Sequence, residues 1–179
     1  RSQREYVLRQ QMRDIRDELY AVTELSTDGR AVRWSPDGRY GAFETGSGLD
    51  RATHVWGLTG GDPQEVATVS GFGAVFSPMR DRMAYLTVEP TPAFTEARAR
   101  LEEEAAAADR STRRWLRAEI FELEARHTEV AILDLVSGET KAVRPSGMLV
   151  VSLLYGPDDA VHFVGGTLEG SGGPGVYRL

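Results

Sequence analysis

The chain has 179 residues, with 21 basic and 27 acidic side chains, three histidines, no cysteine, a formal charge of −6 and a pI near 5.2. That length buries a sizeable core without metal or disulfide support, and the missing cysteines exclude disulfides, thiolate nucleophiles and Cys-based zinc sites. The acidic balance argues against a nucleic-acid partner or an anionic membrane surface, and no stretch reaches the ~18 consecutive apolar residues of a membrane-spanning helix.

Residues 1–20 predict an amphipathic helix, a unit separate from residues 21–179. Leu8, Met12, Ile15 and Leu19 follow one another at spacings of four, three and four, which places them on one face. Arg9, Arg13, Asp14, Arg16, Asp17 and Glu18 lie between them and read as a solvated face. Packing against the rest of the protein is the simpler use of such a stripe, and a partner surface is the alternative.

From residue 29 the texture changes to short alternating segments broken by Gly, Pro and Asp, the mark of strands and tight turns. Ala31-Val-Arg-Trp-Ser-Pro-Asp-Gly-Arg-Tyr-Gly-Ala-Phe43 aligns with Ala74-Val-Phe-Ser-Pro-Met-Arg-Asp-Arg-Met-Ala-Tyr-Leu86. A third copy is Ser152-Leu-Leu-Tyr-Gly-Pro-Asp-Asp-Ala-Val-His-Phe-Val164. Each copy has an aromatic residue (Trp34, Phe76, Tyr155), a small residue and then proline (Pro36, Pro78, Pro157). The aromatic is expected to end one strand facing the core, and the proline presets the turn. Trp34 and Trp56 are expected to pack between repeats. Pro36 and Pro78 are 42 residues apart and Pro78 and Pro157 are 79 apart, an excess of 37 that matches the aberrant segment 91–127. Val55 and Val176 each follow their proline by 19 residues, so they belong to the same strand of different copies. The middle copy of that strand is Val130-Ala-Ile-Leu-Asp-Leu135, followed by a turn at Ser137-Gly138 and a strand over 140–143. A unit of four short strands in about 42 residues is the period of a β-propeller blade. The expected fold is therefore all-β with helical additions: an incomplete β-propeller of about two and a half four-stranded blades, with an N-terminal helix and an inserted helical arm.

The insertion 91–127 reads as helical. Phe94, Ala97, Leu101, Ala105 and Ala108 make one apolar stripe, and Leu116, Ile120 and Leu123 make another. Residues 109–112 either continue a single helix or turn it back into a hairpin with Ser111 as N-cap. Trp115 on this arm is expected to be docked on the blades, the alternative being that it waits for a partner.

Chemistry-bearing patterns are sparse. No Gly-x-Ser-x-Gly elbow occurs, and Gly46-Ser47-Gly48 and Gly170-Ser171-Gly172 read as hairpin turns. Gly165-Gly166 and the glycines from Gly170 to Gly175 read as a loop between two strands, since no Gly-Lys-Ser/Thr follows. His54, His127 and His162 lack ligand spacing. Asp37, Asp158 and Asp159 fit turn chemistry, and Asp134 is expected to accept backbone hydrogen bonds at a blade turn. No catalytic residue, metal ligand or cofactor is expected in this chain. The candidate partner-docking residues are Leu8, Met12, Ile15, Leu19, Leu101, Trp115, Leu116 and Ile120.

Trp34-Ser-Pro-Asp-Gly38 resembles the blade repeat of TolB-like propellers and of the N-terminal propeller in prolyl oligopeptidase and dipeptidyl-peptidase-type serine peptidases. Val130-Ala-Ile-Leu-Asp134-Leu135-Val-Ser-Gly138 is similar to a second strand signature of that group. The resemblance covers residues 29–179, although Met79-Arg80-Asp81 and Asp158-Asp159 depart from its Asp-Gly turn. It implies the non-catalytic N-terminal propeller portion of a bacterial serine peptidase, controlling access of peptide substrates to a hydrolase domain later in the same parent chain. The alternative it implies is a TolB-like scaffold that docks a protein partner through the helical arm. Separately, residues 2–19 (Ser2-Gln-Arg-Glu-Tyr6-Val-Leu8 through Leu19) resemble the start of the long helix in the N-terminal region of Lon proteases. That second likeness implies self-association through the Leu8–Leu19 stripe, hence a homo-oligomer.

Overall fold

The computed structural model describes residues 28–145, 147–167 and 174–179. The helix expected over residues 1–20 lies outside them. Among the described residues, eleven strands form three antiparallel meanders, each built from consecutive strands. The first sheet holds β1 (Arg30–Trp34), β2 (Tyr40–Thr45), β3 (Ala52–Gly57) and β4 (Gln64–Ser70). The second holds β5 (Phe72–Phe76), β6 (Arg82–Val88), β7 (Thr128–Asp134) and β8 (Thr140–Val143). The third holds β9 (Met148–Tyr155), β10 (Val161–Thr167) and β11 (Gly175–Arg178). This is the propeller-blade pattern expected from the repeat, with Val55 and Val176 both in the third strand of their sheets. Three blades do not close a ring, which typically takes four to eight.

The middle blade shows why its strands read as continuous apolar runs. On β6, Met83 and Tyr85 join Ala42, Val55 and Phe76 in a core shared with the first blade. Ala84 and Leu86, on the opposite face, join Val150, Leu153, Val161 and Phe163 in a core shared with the third blade. Side chains alternate across a strand, so the inner strands of a blade sandwiched between two others are apolar on both faces.

The same geometry corrects the expectation for Trp34. Phe76 and Tyr155 pack toward the blade that precedes their own. Trp34 occupies the equivalent position in the first blade, and no described blade precedes it. It is 62% exposed, its ring lying over the paired residue Gly41. Trp56 is half-buried in the same sheet, and its indole N–H lacks a partner among the described residues. Trp34 does not pack between described blades.

The three Pro turns close alike, through N–H to C=O bonds from Ser35 to Tyr40, Ser77 to Arg82 and Gly156 to Ala160. The third is one residue shorter, pairing Tyr155 with Val161 where the first pairs Trp34 with Gly41. Asp159 takes the left-handed backbone (φ 61°) that Gly38 supplies in the first copy. Three of the residues that break the Asp-Gly pattern, Arg80, Asp81 and Asp159, join blades. Arg39 of the first turn grips Asp81 of the second, with one contact at 3.2 Å. Arg80 and Ser77 of the second turn reach Asp159 of the third, Arg80 at 3.1 Å. Gly165 and Gly166 lie inside β10 rather than in a loop. A Cβ on Gly165 would overlap the Leu149 carbonyl across the bulge, so glycine serves close strand approach there.

Asp134 behaves as its turn chemistry requires, accepting from the N–H groups of Val136 (3.1 Å) and Ser137 (3.0 Å). These backbone donors hold its pKa below the ordinary carboxylate value, with Arg82 assisting. Backbone donors depress Asp37 and Asp158 in the same way. A carboxylate more acidic when folded adds stability that is complete above its unfolded value of about 4 and is lost as pH falls through the folded value. Asp134→Asn keeps an acceptor for the turn and abolishes the titration. Urea midpoints followed from about pH 7 to about pH 3 should therefore fall less steeply in the variant than in the parent, and equal slopes would refute the assignment.

Candidate functional site: the helical hairpin and the cleft at its root

The second blade is interrupted between β6 and β7 by a helical hairpin whose limits match the 37-residue excess. Helix α1 (Pro92–Ala107) starts at the Thr91 N-cap, whose hydroxyl accepts from the Phe94 N–H at 3.3 Å, with Pro92 in the first turn. Helix α2 (Arg110–Arg126) ends at His127. The arm is a hairpin, and Asp109 rather than Ser111 is the cap. The Asp109 carboxylate accepts from the N–H groups of Ser111 (2.8 Å) and Thr112 (2.9 Å), because a carboxylate two residues earlier reaches both orphan donors. Arg113 of α2 turns back and donates to the carbonyls of Ala105 (3.0 Å) and Ala108 (2.8 Å), closing the end of α1.

The hairpin is clasped to the blades at its root. Arg98 lies between Glu124 (3.0 Å) and Glu102 (2.9 Å), and the side chains of Arg98 and Glu124 are only 14% and 16% exposed. Arg51, from the loop between β2 and β3, approaches the other oxygen of Glu124 at 3.8 Å. Phe94 is fully buried and its ring meets His127 at 4.7 Å. Further along, α2 runs beside β9.

Beneath the clasp lies a cleft of 330 Å3 where the β2–β3 loop, the β4–β5 junction and the start of the hairpin converge. The Arg51 guanidinium stands 3.5 Å above the Phe72 ring. Burial pulls its pKa below the ordinary arginine value, and Glu124 opposes that shift.

The expected docking residues divide. Leu8, Met12, Ile15 and Leu19 lie outside the described residues. Leu101 and Ile120 are half-buried in the hairpin. Leu116 is 3% exposed, so it offers no surface to a partner. Trp115 is 59% exposed and is not docked on the blades, and Phe121 shares that exposure. Phe121 falls outside the Leu116–Ile120–Leu123 stripe; an off-stripe aromatic on a charged helix was the available signal for it.

Chemical groups elsewhere are occupied locally. The two ring nitrogens of His54 meet Thr45 (2.9 Å) and Glu65 (2.8 Å) across neighbouring strands, and Phe43 stacks on the ring at 5.1 Å. His127 contacts the Leu123 carbonyl at 2.9 Å, and His162 lies 3.7 Å from Asp158. Among the described residues no group of three or more His, Asp or Glu side chains is arranged to hold a metal ion.

What the sheets define is a propeller-type β domain, incomplete as a ring and carrying a helical arm. No family model matches the chain, and no curated protein matches it. Among solved structures it is similar to TolB from Acinetobacter baumannii, with 16% identity over 84% of this chain and 29% of that one and a TM-score of 0.49. It is also similar to the AtxE2 isopeptidase in its apo form, with 16% identity over 81% of this chain and 25% of that one and a TM-score of 0.33. The chain thus spans less than a third of either structure, and the fold assignment rests on its own three sheets.

Proposed function

We propose that the chain is a non-catalytic propeller module that presents its helical hairpin to a protein partner. The observation that carries this reading is the contrast along the arm: a largely buried ion pair and the fully buried Phe94 fix its root, while Trp115 and Phe121 stand exposed. Large aromatics held on a rigid element lose little side-chain entropy on binding and dominate interface energies. Arg113, Arg114 and Arg117 flank Trp115 in the sequence, and Glu119 and Glu122 flank Phe121, which suits a polar rim with apolar anchors. A photo-crosslinker placed at position 115 should capture one partner in cells of the source organism. With that partner purified, Trp115→Ser should weaken binding by about thirtyfold, the scale of a hot-spot residue. Equal affinity of the Trp115→Ser, Phe121→Ser double variant would overturn the proposal.

A second reading is favoured by the Trp34-Ser-Pro-Asp-Gly38 and Asp134 turn chemistry: a propeller portion that limits access to the hydrolase domain of a serine peptidase. It predicts a Gly-x-Ser-x-Gly elbow, an acid and a histidine, in that order, in the reading frame beyond Leu179. A frame that continues for several hundred residues without them would remove this reading.

A further inference from the structure

We infer that the cleft at the hairpin root binds a monocarboxylate carried on an apolar body, with Arg51 as its anchor. The guanidinium is preorganised. Its Nε–H donates to the Gly48 carbonyl at 2.9 Å, and its plane lies on Phe72. The Arg51 carbonyl accepts from the Gly71 N–H at 3.0 Å, so the two walls of the cleft are tied together. Yet the charge is incompletely answered. At 3.8 Å the Glu124 oxygen lies beyond hydrogen-bond reach, and its other oxygen is engaged by Arg98. Glu44, the other acid acting on Arg51, accepts from the Gly73 N–H at 2.7 Å. Among the described residues, the one hydrogen-bond acceptor on Arg51 is the Gly48 carbonyl.

A half-buried guanidinium has lost much of its hydration and gains most from a planar anion that takes two N–H groups at once. Leu49, Phe72, Val88 and Pro90, with Ser70 and Thr87 among them, line the cleft around Arg51, so the anion should arrive with a largely apolar group attached. The volume of 330 Å3 is at the small end of ligand pockets. A phosphate fits less well, because one guanidinium faces its two charges and Glu124 lies beside them. Two sources share the favoured chemistry, a free acyl amino acid and the C-terminus of a peptide.

The test is calorimetric titration of the full 179-residue chain with N-acetyl-leucine, N-acetyl-leucinamide, and a leucine-terminated pentapeptide with a free or an amidated end. Saturable binding of an acid with about tenfold weaker binding of its amide supports the site. The free pentapeptide binding more tightly than N-acetyl-leucine assigns a peptide C-terminus, and the reverse order assigns a small acid. Arg51→Gln should lose about tenfold in affinity and Arg51→Lys should lie between, since an ammonium cannot pair bidentately. Equal binding of acid and amide, wild-type affinity in Arg51→Gln, or no saturable binding of either acid would overturn the inference. The comparison of acid with amide is made on the parent protein, so it stands even if Arg51→Gln unfolds.

Discussion

Replacing Met83 by alanine lowers the unfolding free energy by about 2–5 kcal/mol, read as a shift of the urea midpoint. Met83 is fully buried on β6, in the core shared by the first and second blades. It pairs across the sheet with Leu133, itself buried, and Phe76 is its partner on β5. Truncation removes three heavy atoms from contact with both blades, and the paired strands on either side hold the cavity open. Leu86→Ala makes the equivalent change on the opposite face of the same strand, where the second blade meets the third. The two losses should add, because the sheet separates the clusters. Met79→Ala, at a turn position 70% exposed, is the control and should stay within about 0.5 kcal/mol of the parent. If Met83→Ala matched that control, the inter-blade core would not be holding the fold.

The second large effect is expected at Glu124. Its removal leaves Arg98 with Glu102 alone and takes away the acid nearest Arg51. Breaking a buried pair by deleting one partner typically costs about 3–5 kcal/mol. Residual solvent contact at both side chains reduces that to about 2–3 kcal/mol here. The cost should fall on the docking of the hairpin rather than on the sheets. Hydrogen exchange in Glu124→Ala is therefore expected to rise steeply across residues 92–126 while β6 and β7 retain their protection. Glu124→Gln keeps the shape and some hydrogen bonding, and should fall between the two. Unchanged exchange in the hairpin would show that the ion pair is not its clasp. An equal rise in β6 and β7 would show that the hairpin and blade open as one unit.

Much of this architecture is legible in the sequence. The prolines at 36, 78 and 157 mark equivalent turns, the 37-residue excess is bounded by the Thr91 cap and His127, and Asp134 accepts the backbone bonds assigned to it. Each of these depends on chemistry within a few residues: a fixed proline φ, a side-chain oxygen facing nearby N–H groups, an alternation of period two. Features set by neighbours distant in the chain, or by a choice between close competitors, depart from local pattern. Trp34 matched Phe76 in pattern but has no described preceding blade to pack on. Gly165-Gly166 had loop composition, whereas strand β9 comes close enough there to require glycine inside a strand. Ser111 and Asp109 are both good caps, and the carboxylate reached two donors.

The candidate site was less legible than the fold. The repeat interval marks the helical arm, but the exposure of Trp115 and the burial of Leu116, adjacent residues on one helix, follow from which face of α2 the rest of the protein covers. Arg51 carried no motif at all. Its cleft exists because a loop after β2, a junction after β4 and the start of an insertion meet at one end of two blades.

By itself, the sequence determined that strands repeat with a fixed period, which prolines turn the chain, and that one segment interrupts the repeat, because those are settled by local backbone preference and periodicity. Only the tertiary structure decided what the irregular residues are for. Arg39 meets Asp81 across 42 positions and Ser77 meets Asp159 across 82. Residues that look like defects in the Asp-Gly turn thus hold one blade to the next, and pairings at such separations leave no trace in local pattern.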